Sequence, residues 1–167
     1  MKQLWAPWRM EYIASADDRP DDGCIFCVRE CADQDAGRLI LHRGEHAFVL
    51  MNKYPYSNGH LMIAPYRHTA DLGELLPEEA LEMHRLLVLG RDVLGDCVGP
   101  HGYNVGMNLG RVAGAGITDH LHLHIVPRWN GDTNFMPVFS DVRVIPQHLE
   151  TTYALLAEAF AKRTCSR

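Results

Sequence analysis

The rhythm of apolar and polar side chains changes several times along this chain, and each change marks an element. Over 120–126 (HLHLHIV) polar and apolar residues alternate, the pattern of a β-strand with one buried face. Apolar runs at 46–51 (HAFVLM) and 59–64 (GHLMIA) predict two further strands. The Tyr-Pro-Tyr-Ser-Asn-Gly of 54–59 predicts a turn between them, so the two are expected to pair as a hairpin. Residues 103–109 predict another strand, 110–116 (GRVAGAG) the loop leading to the histidine strand, and 142–145 a short last strand. The rhythm is helical over 77–94, where Leu81, Met83, His84, Leu87, Val88, Val93 and Leu94 recur at helical spacing. Pro77, with Glu78 and Glu79 behind it, suits a helix N-terminus. Residues 147–162 predict a second helix. Strands joined by short connections, with helices set apart, predict an α+β domain with an antiparallel sheet.

The alternation at 120–126 gives the chain its chemistry. On a strand, His120, His122 and His124 point to one face, and Leu121, Leu123 and Ile125 to the other. Successive same-face residues lie roughly 6.5–7 Å apart. His120 and His124 are then too far apart to share one metal, whose bonds to nitrogen are about 2 Å long. A row of imidazoles along a phosphate chain is the expected arrangement.

Composition narrows the class. A chain of 167 residues suits one domain with a proper core. A net charge of −5 gives no basic field, so nonspecific nucleic-acid binding is not expected. No apolar run approaches the ~20 residues of a membrane span. The first ten residues carry Trp5, Pro7 and Trp8 rather than a signal-peptide stretch. A cytoplasmic location is expected. Five cysteines then argue for free thiols or metal ligands over disulfides. Cys24 and Cys27 form a CxxC, which alone is two ligands short of a zinc site. No βαβ pattern surrounds it, which argues against a redox pair. Cys97 and Cys165 look incidental. Residues 17–23 (DDRPDDG) read as a loop. Trp5, Trp8 and Tyr12 are expected to cover the core, stack on a purine or pack across a dimer.

The full run His120 to Val126 resembles the signature of the histidine-triad family. The likeness extends to Asn52, Gly59-His60 and Ala64-Pro65, which look like the family's nucleotide-binding hairpin, and to Gly110 and Ala113-Gly114 before the triad. Trp5-Ala6-Pro7-Trp8-Arg9, Tyr54-Pro55-Tyr56, Pro127-Arg128-Trp129 and Gly131-Asp132 resemble the branch of microbial diadenosine tetraphosphate hydrolases and phosphorylases. The resemblance implies a single domain over 1–167, with an antiparallel sheet of about five strands and two main helices. It divides into an aromatic arm and loop (1–23), a core (24–145) and a C-terminal helix and tail (146–167). A homodimer, interfacing through a helix and a sheet edge, is implied as well.

The resemblance also implies roles. His122 is the nucleophile, forming a nucleotidyl-histidine that a second acceptor resolves. His124 contacts the scissile phosphate or leaving group, and His60 is an additional active-site histidine. A neutral imidazole suits nucleophilic attack near pH 7, and imidazoles with backbone N–H groups remove the strict need for a divalent ion in the chemistry. Gly114 and Gly116 permit close backbone approach to phosphate. Asn108 is placed to donate to a phosphate oxygen and Asn52 to bond a ribose hydroxyl; a turn or cap is the alternative for each. Relatives complete a Cys2His2 zinc site with two histidines, here His68 and His120 beside Cys24 and Cys27, with Cys31 as a substitute ligand. Such a closed zinc site is structural.

One stretch departs from the family. Many members carry a Gln and a hydroxyl residue before the triad, and this chain has Ala115-Gly116-Ile117-Thr118-Asp119. Thr118 is its only hydroxyl and lies one place nearer the triad. The Gly-Ser step of phosphorylase members is absent near Ala115-Gly116, which favours water as acceptor. The expected reaction is hydrolysis of diadenosine tetraphosphate to ATP and AMP. Its alternatives are phosphorolysis to ATP and ADP, a nucleoside phosphoramidase, and a zinc-containing nucleotide-binding module without catalysis. Repair of adenylated DNA ends is disfavoured by the acidic net charge.

Overall fold

A computed structural model describes residues 24–28, 32–132 and 148–165. The aromatic arm, Cys31 and the strand expected at 142–145 lie outside the described residues. Five strands, β1 (Ile40–Arg43), β2 (Ala47–Met51), β3 (Leu61–Pro65), β4 (Gly102–Met107) and β5 (Leu123–Arg128), form one sheet in the order β1-β2-β3-β5-β4. Every neighbouring pair is antiparallel. The two α-helices are α1 (Pro77–Val98) and α2 (Leu149–Cys165). This is the expected α+β architecture. No helix among the described residues is long and apolar enough to cross a membrane.

Both faces of the central strands are buried. One face packs Ala47, Val49, Leu61, Ile63 and Ile125 against Met83, Leu86, Val93 and Leu94 of α1 and Leu156 and Phe160 of α2. The other carries Phe48, Leu50, Met62 and Ala64 under Phe26 and Val28. That double burial is why 47–51 and 61–64 read as unbroken apolar runs rather than as alternation. The histidines belong to the second face, since His124 pairs with Met62 across β3 and β5.

Two expectations change. β1 carries no clear periodicity over its four residues and was not foreseen from the pattern. The strand expected over 120–126 begins only at Leu123. Pro65, with no N–H to add to a ladder, ends β3, and the Leu121 N–H donates instead to the Thr69 carbonyl at 2.7 Å. His120 and His122 therefore sit on an extended lead-in to β5. The predicted β2–β3 hairpin does form. Its turn closes at Gly59, whose φ of +73° and 2.9 Å approach of a would-be Cβ to Leu94 require glycine directly before His60.

α1 starts at Pro77 as expected and runs four residues past the predicted end, to a left-handed Gly99. Buried Glu79 caps it by accepting the Leu76 N–H at 2.9 Å. The same carboxylate takes two hydrogen bonds from Arg67, at 2.9 and 2.7 Å. This pair ties the end of β3 to the start of α1.

Candidate functional site

His60, His120, His122 and His124 are all buried polar residues, exposed by 8% or less. Four buried imidazoles in one region require specific partners; the backbone supplies them for His60, His120 and His122, and the His60 ring for His124. Each partner decides which ring nitrogen holds the proton.

His122 lies between Phe26 and His124. Its ring centroid is 4.8 Å from each, tilted 31° to Phe26 and edge-on to His124 at 78°. Its Nδ1 is 2.9 Å from the His120 carbonyl. A carbonyl only accepts, so Nδ1 carries the proton and Nε2 keeps its lone pair. Burial lowers the His122 pKa, against a smaller opposing effect of that carbonyl. The ring is thus neutral at neutral pH, with Nε2 unprotonated.

His60 and His124 are set in the opposite sense. The Tyr56 N–H donates to His60 Nδ1 at 3.1 Å. His60 then carries its proton on Nε2, which donates to His124 Nδ1 at 2.9 Å. His124 in turn must be protonated on Nε2. Neighbouring rings therefore carry an imidazole lone pair on His122 Nε2 and an imidazole N–H on His124 Nε2. A nucleophile and a proton donor side by side suit cleavage of a bond at phosphorus.

His120 points elsewhere. Its Nε2–H donates to the Pro65 carbonyl at 2.8 Å, leaving the Nδ1 lone pair for other partners. Nδ1 faces Cys24 Sγ at 3.3 Å, His68 Nδ1 at 3.3 Å and Cys27 Sγ at 4.0 Å. Cys27 Sγ is 3.5 Å from His68 Nδ1. All four donor atoms lie within 4.8 Å of one another. A tetrahedral zinc ion with N and S ligands has ligand–ligand edges of roughly 3.3–3.8 Å, from bonds of about 2.0 and 2.3 Å. The four side chains therefore fit such an ion by donor type, spacing and the tautomer of His120. Burial pushes the Cys24 thiol up to about 11; a bound cation would reverse that by favouring the thiolate.

The structure engages the other expected residues in turns. The Asn52 carboxamide accepts the Tyr54 N–H at 2.9 Å and lies 3.4 Å from His60 Nδ1. Asn108 donates to the Gly114 carbonyl at 3.4 Å, fastening the loop before the triad. Gly114 is left-handed, with φ +89°. Gly116 is half-buried, and Thr118 is exposed in the bend leading to His120.

Sequence reasoning missed three contributors. Phe26 is 1% exposed and covers both His122 and His120, the latter at 5.3 Å. The available signal was its place inside the CxxC. The Tyr56 N–H and the carbonyls of Pro65, His120 and Thr69 left no trace, because backbone groups have no letter in a sequence. The Arg67–Glu79 pair, 12 residues apart in the chain, was equally silent.

The family model described as "HIT domain" matches residues 35–131. A protein named AP-4-A phosphorylase from Mycobacterium tuberculosis (strain H37Rv) is 36% identical over 170 residues, covering 98% of this chain and 86% of its own length. Adenosine 5'-monophosphoramidase hnt1 of Schizosaccharomyces pombe is 33% identical over 107 residues, covering 64% of this chain and 75% of the relative. Among solved structures, a hypothetical histidine triad nucleotide-binding protein from Sulfolobus tokodaii superposes with a TM-score of 0.63 at 26% identity, over 86% of this chain and 93% of that one. A Zn-bound histidine triad family protein from Mycobacterium smegmatis shares the fold with a TM-score of 0.65 at 23% identity, over 87% and 98% of the two chains.

Proposed function

The chain belongs to the HIT-domain, or histidine-triad, family, and from that premise we propose that it cleaves dinucleoside polyphosphates through a covalent nucleotide on His122. The observation that supports this most directly is the fixed tautomer of His122, whose Nδ1–H is held by the His120 carbonyl and whose Nε2 is left nucleophilic. In the first step Nε2 attacks the phosphorus of the nucleotide to be transferred. An N–P bond forms, and the bond from that phosphorus to the bridging oxygen breaks. The His124 Nε2–H hydrogen-bonds the departing oxygen, which leaves with the bonding electron pair as the polyphosphate anion. The relay from Tyr56 through His60 holds His124 in the tautomer this requires. In the second step an acceptor attacks the same phosphorus, the N–P bond breaks so that His122 leaves with its original lone pair, and a proton lost by a water acceptor passes to solvent.

Water is the proposed acceptor, which gives ATP and AMP from diadenosine tetraphosphate. The reason is the Ala115-Gly116 step, which lacks a hydroxyl for a second anion. The second reading, inorganic phosphate as acceptor with ATP and ADP as products, is favoured by the name of the M. tuberculosis relative. Asn52, Asn108, Gly114, Gly116 and Thr118 are proposed to line the path of the nucleotide and its phosphates.

Cys24, Cys27, His68 and His120 are proposed to hold a structural zinc ion, which when bound supplies a cross-link between the 24–28 segment and the lead-in to β5. A homodimer is proposed through the sheet edge. β4 is an outer strand, and its Val105 is 49% exposed.

Incubation with diadenosine tetraphosphate, with and without inorganic phosphate, tests the reaction. AMP and ATP under both conditions support water as acceptor. ADP and ATP only with phosphate transfer the assignment to the phosphorylase reading. No cleavage under either condition overturns both.

A further inference from the structure

We propose that Phe26 is a positioning residue for His122, and that the cysteine knuckle carrying it couples the metal site to the nucleophile. The inference rests on the reading of His122 as the attacking group.

His122 needs more than one restraint. The torsion that turns an imidazole about its Cβ–Cγ bond is broad and roughly two-fold. A half-turn exchanges Nδ1 with a ring carbon and carries Nε2 off its line of attack. A single neutral hydrogen bond, here to the His120 carbonyl, is a modest restraint against that rotation. Two rings supply the remainder. His124 meets the ring edge-on, and Phe26 lies against its face at 4.8 Å and 31°. Of the two, Phe26 has no chemical duty and sits 1% exposed in a packed cluster with Phe48, Leu50 and Met62.

Phe26 is held at both ends by candidate metal ligands. Cys24 and Cys27 flank it, and the Cys27 N–H closes the turn on the Cys24 carbonyl at 3.0 Å. The Val28 N–H bonds the Phe26 carbonyl at 3.0 Å. The thiols meet His120 and His68, and His120 supplies the carbonyl that His122 uses. A metal bound by these four groups therefore fixes two of the restraints on His122 together, its ring cover and its hydrogen-bond acceptor. Misplacement of a reacting group by about 1 Å can cost 10²-fold in rate, so a loosened ring registers in kcat.

The test uses the full-length, zinc-loaded protein with Phe26→Leu, which keeps apolar bulk and removes the flat ring. Ile25→Ala, a change at an exposed neighbour in the same knuckle, is the control. Zinc content, the ring nitrogen chemical shifts of His122, and kcat and KM for diadenosine tetraphosphate are measured. The expected result is full zinc content, a His122 signal averaged away from the single Nδ1–H form, and a roughly tenfold drop in kcat with KM changed less than twofold. A raised KM at unchanged kcat makes Phe26 a substrate contact and overturns the proposal, as does an unchanged His122 signal. Should Phe26→Leu not fold, zinc titration of the metal-free wild type decides. Sharpening of His122 to the single tautomer supports coupling, and no change overturns it. Wild-type protein that cleaves no dinucleotide refutes the proposed reaction, while the nitrogen shifts still decide the positioning.

Discussion

At the scale of single residues, the site depends on where four protons sit. His122→Ala removes the proposed nucleophile, and no neighbouring imidazole can replace it, because His124 is protonated on the wrong nitrogen and His120 faces the cysteines. Turnover of diadenosine tetraphosphate is expected to fall by on the order of 10³-fold or more, with an unchanged far-ultraviolet spectrum. Residual turnover within tenfold of wild type would remove His122 from the first step. The histidines themselves were legible in the sequence from their alternation, and so were Cys24 and Cys27 from their spacing. Their division of labour was not. It is set by the His120 carbonyl and the Tyr56 N–H, which act within four residues through backbone groups that the letters do not show, and by the Pro65 carbonyl, which reaches His120 only once β3 and the lead-in to β5 lie side by side.

At the scale of elements, the hairpin turn before His60 makes a second expectation. Gly59→Ala forces a Cβ into a left-handed position, which costs roughly 1–2 kcal/mol for a non-glycine residue, and sets that carbon 2.9 Å from Leu94. Urea denaturation should show a loss of that size, and an unchanged midpoint would mean that the turn relaxes to negative φ. A third expectation concerns β1. His42 stacks on Phe160 of α2 at 6.1 Å and 13°, and burial lowers its pKa. The unfolded chain, with a pKa of about 6.5, then takes up this proton at a higher pH than the folded one. The stability contribution is complete above that value and is lost as pH falls from it through the depressed folded pKa. His42→Phe keeps the stack and removes the proton, so its urea midpoint should fall less than that of wild type between pH 8 and pH 5.5. Equal falls would mean that His42 does not titrate across folding. This strand was invisible to pattern reading because its four residues, ILHR, pair with β2 through an irregular register. β2, β3 and α1 were visible because long apolar runs and a Pro-Glu-Glu start survive without knowledge of their partners.

At the scale of the whole molecule, the four candidate ligands come from three separated stretches: the 24–28 knuckle, the connection after β3, and the lead-in to β5. A zinc ion there closes loops of about 40 and 50 residues at once, which is why its effect belongs to the fold as well as to the site. An ion that binds only the folded chain stabilises it by about 2.7 kcal/mol at a free concentration 100 times its Kd. The melting temperature should therefore rise with free zinc and fall on chelation, by several degrees for a domain of this size. Cys24→Ser should flatten that response, because a hydroxyl is a far poorer zinc ligand than a thiolate. The knuckle is also the cover of the second sheet face, where Phe26 and Val28 are each 1% exposed. Releasing it would uncover Phe48, Leu50 and Met62 together with His122. Chelation should then lower melting temperature and turnover in parallel, and restoring zinc should recover both. Loss of turnover with the melting temperature unmoved would place the ion in the chemistry itself and end its assignment as a structural clamp.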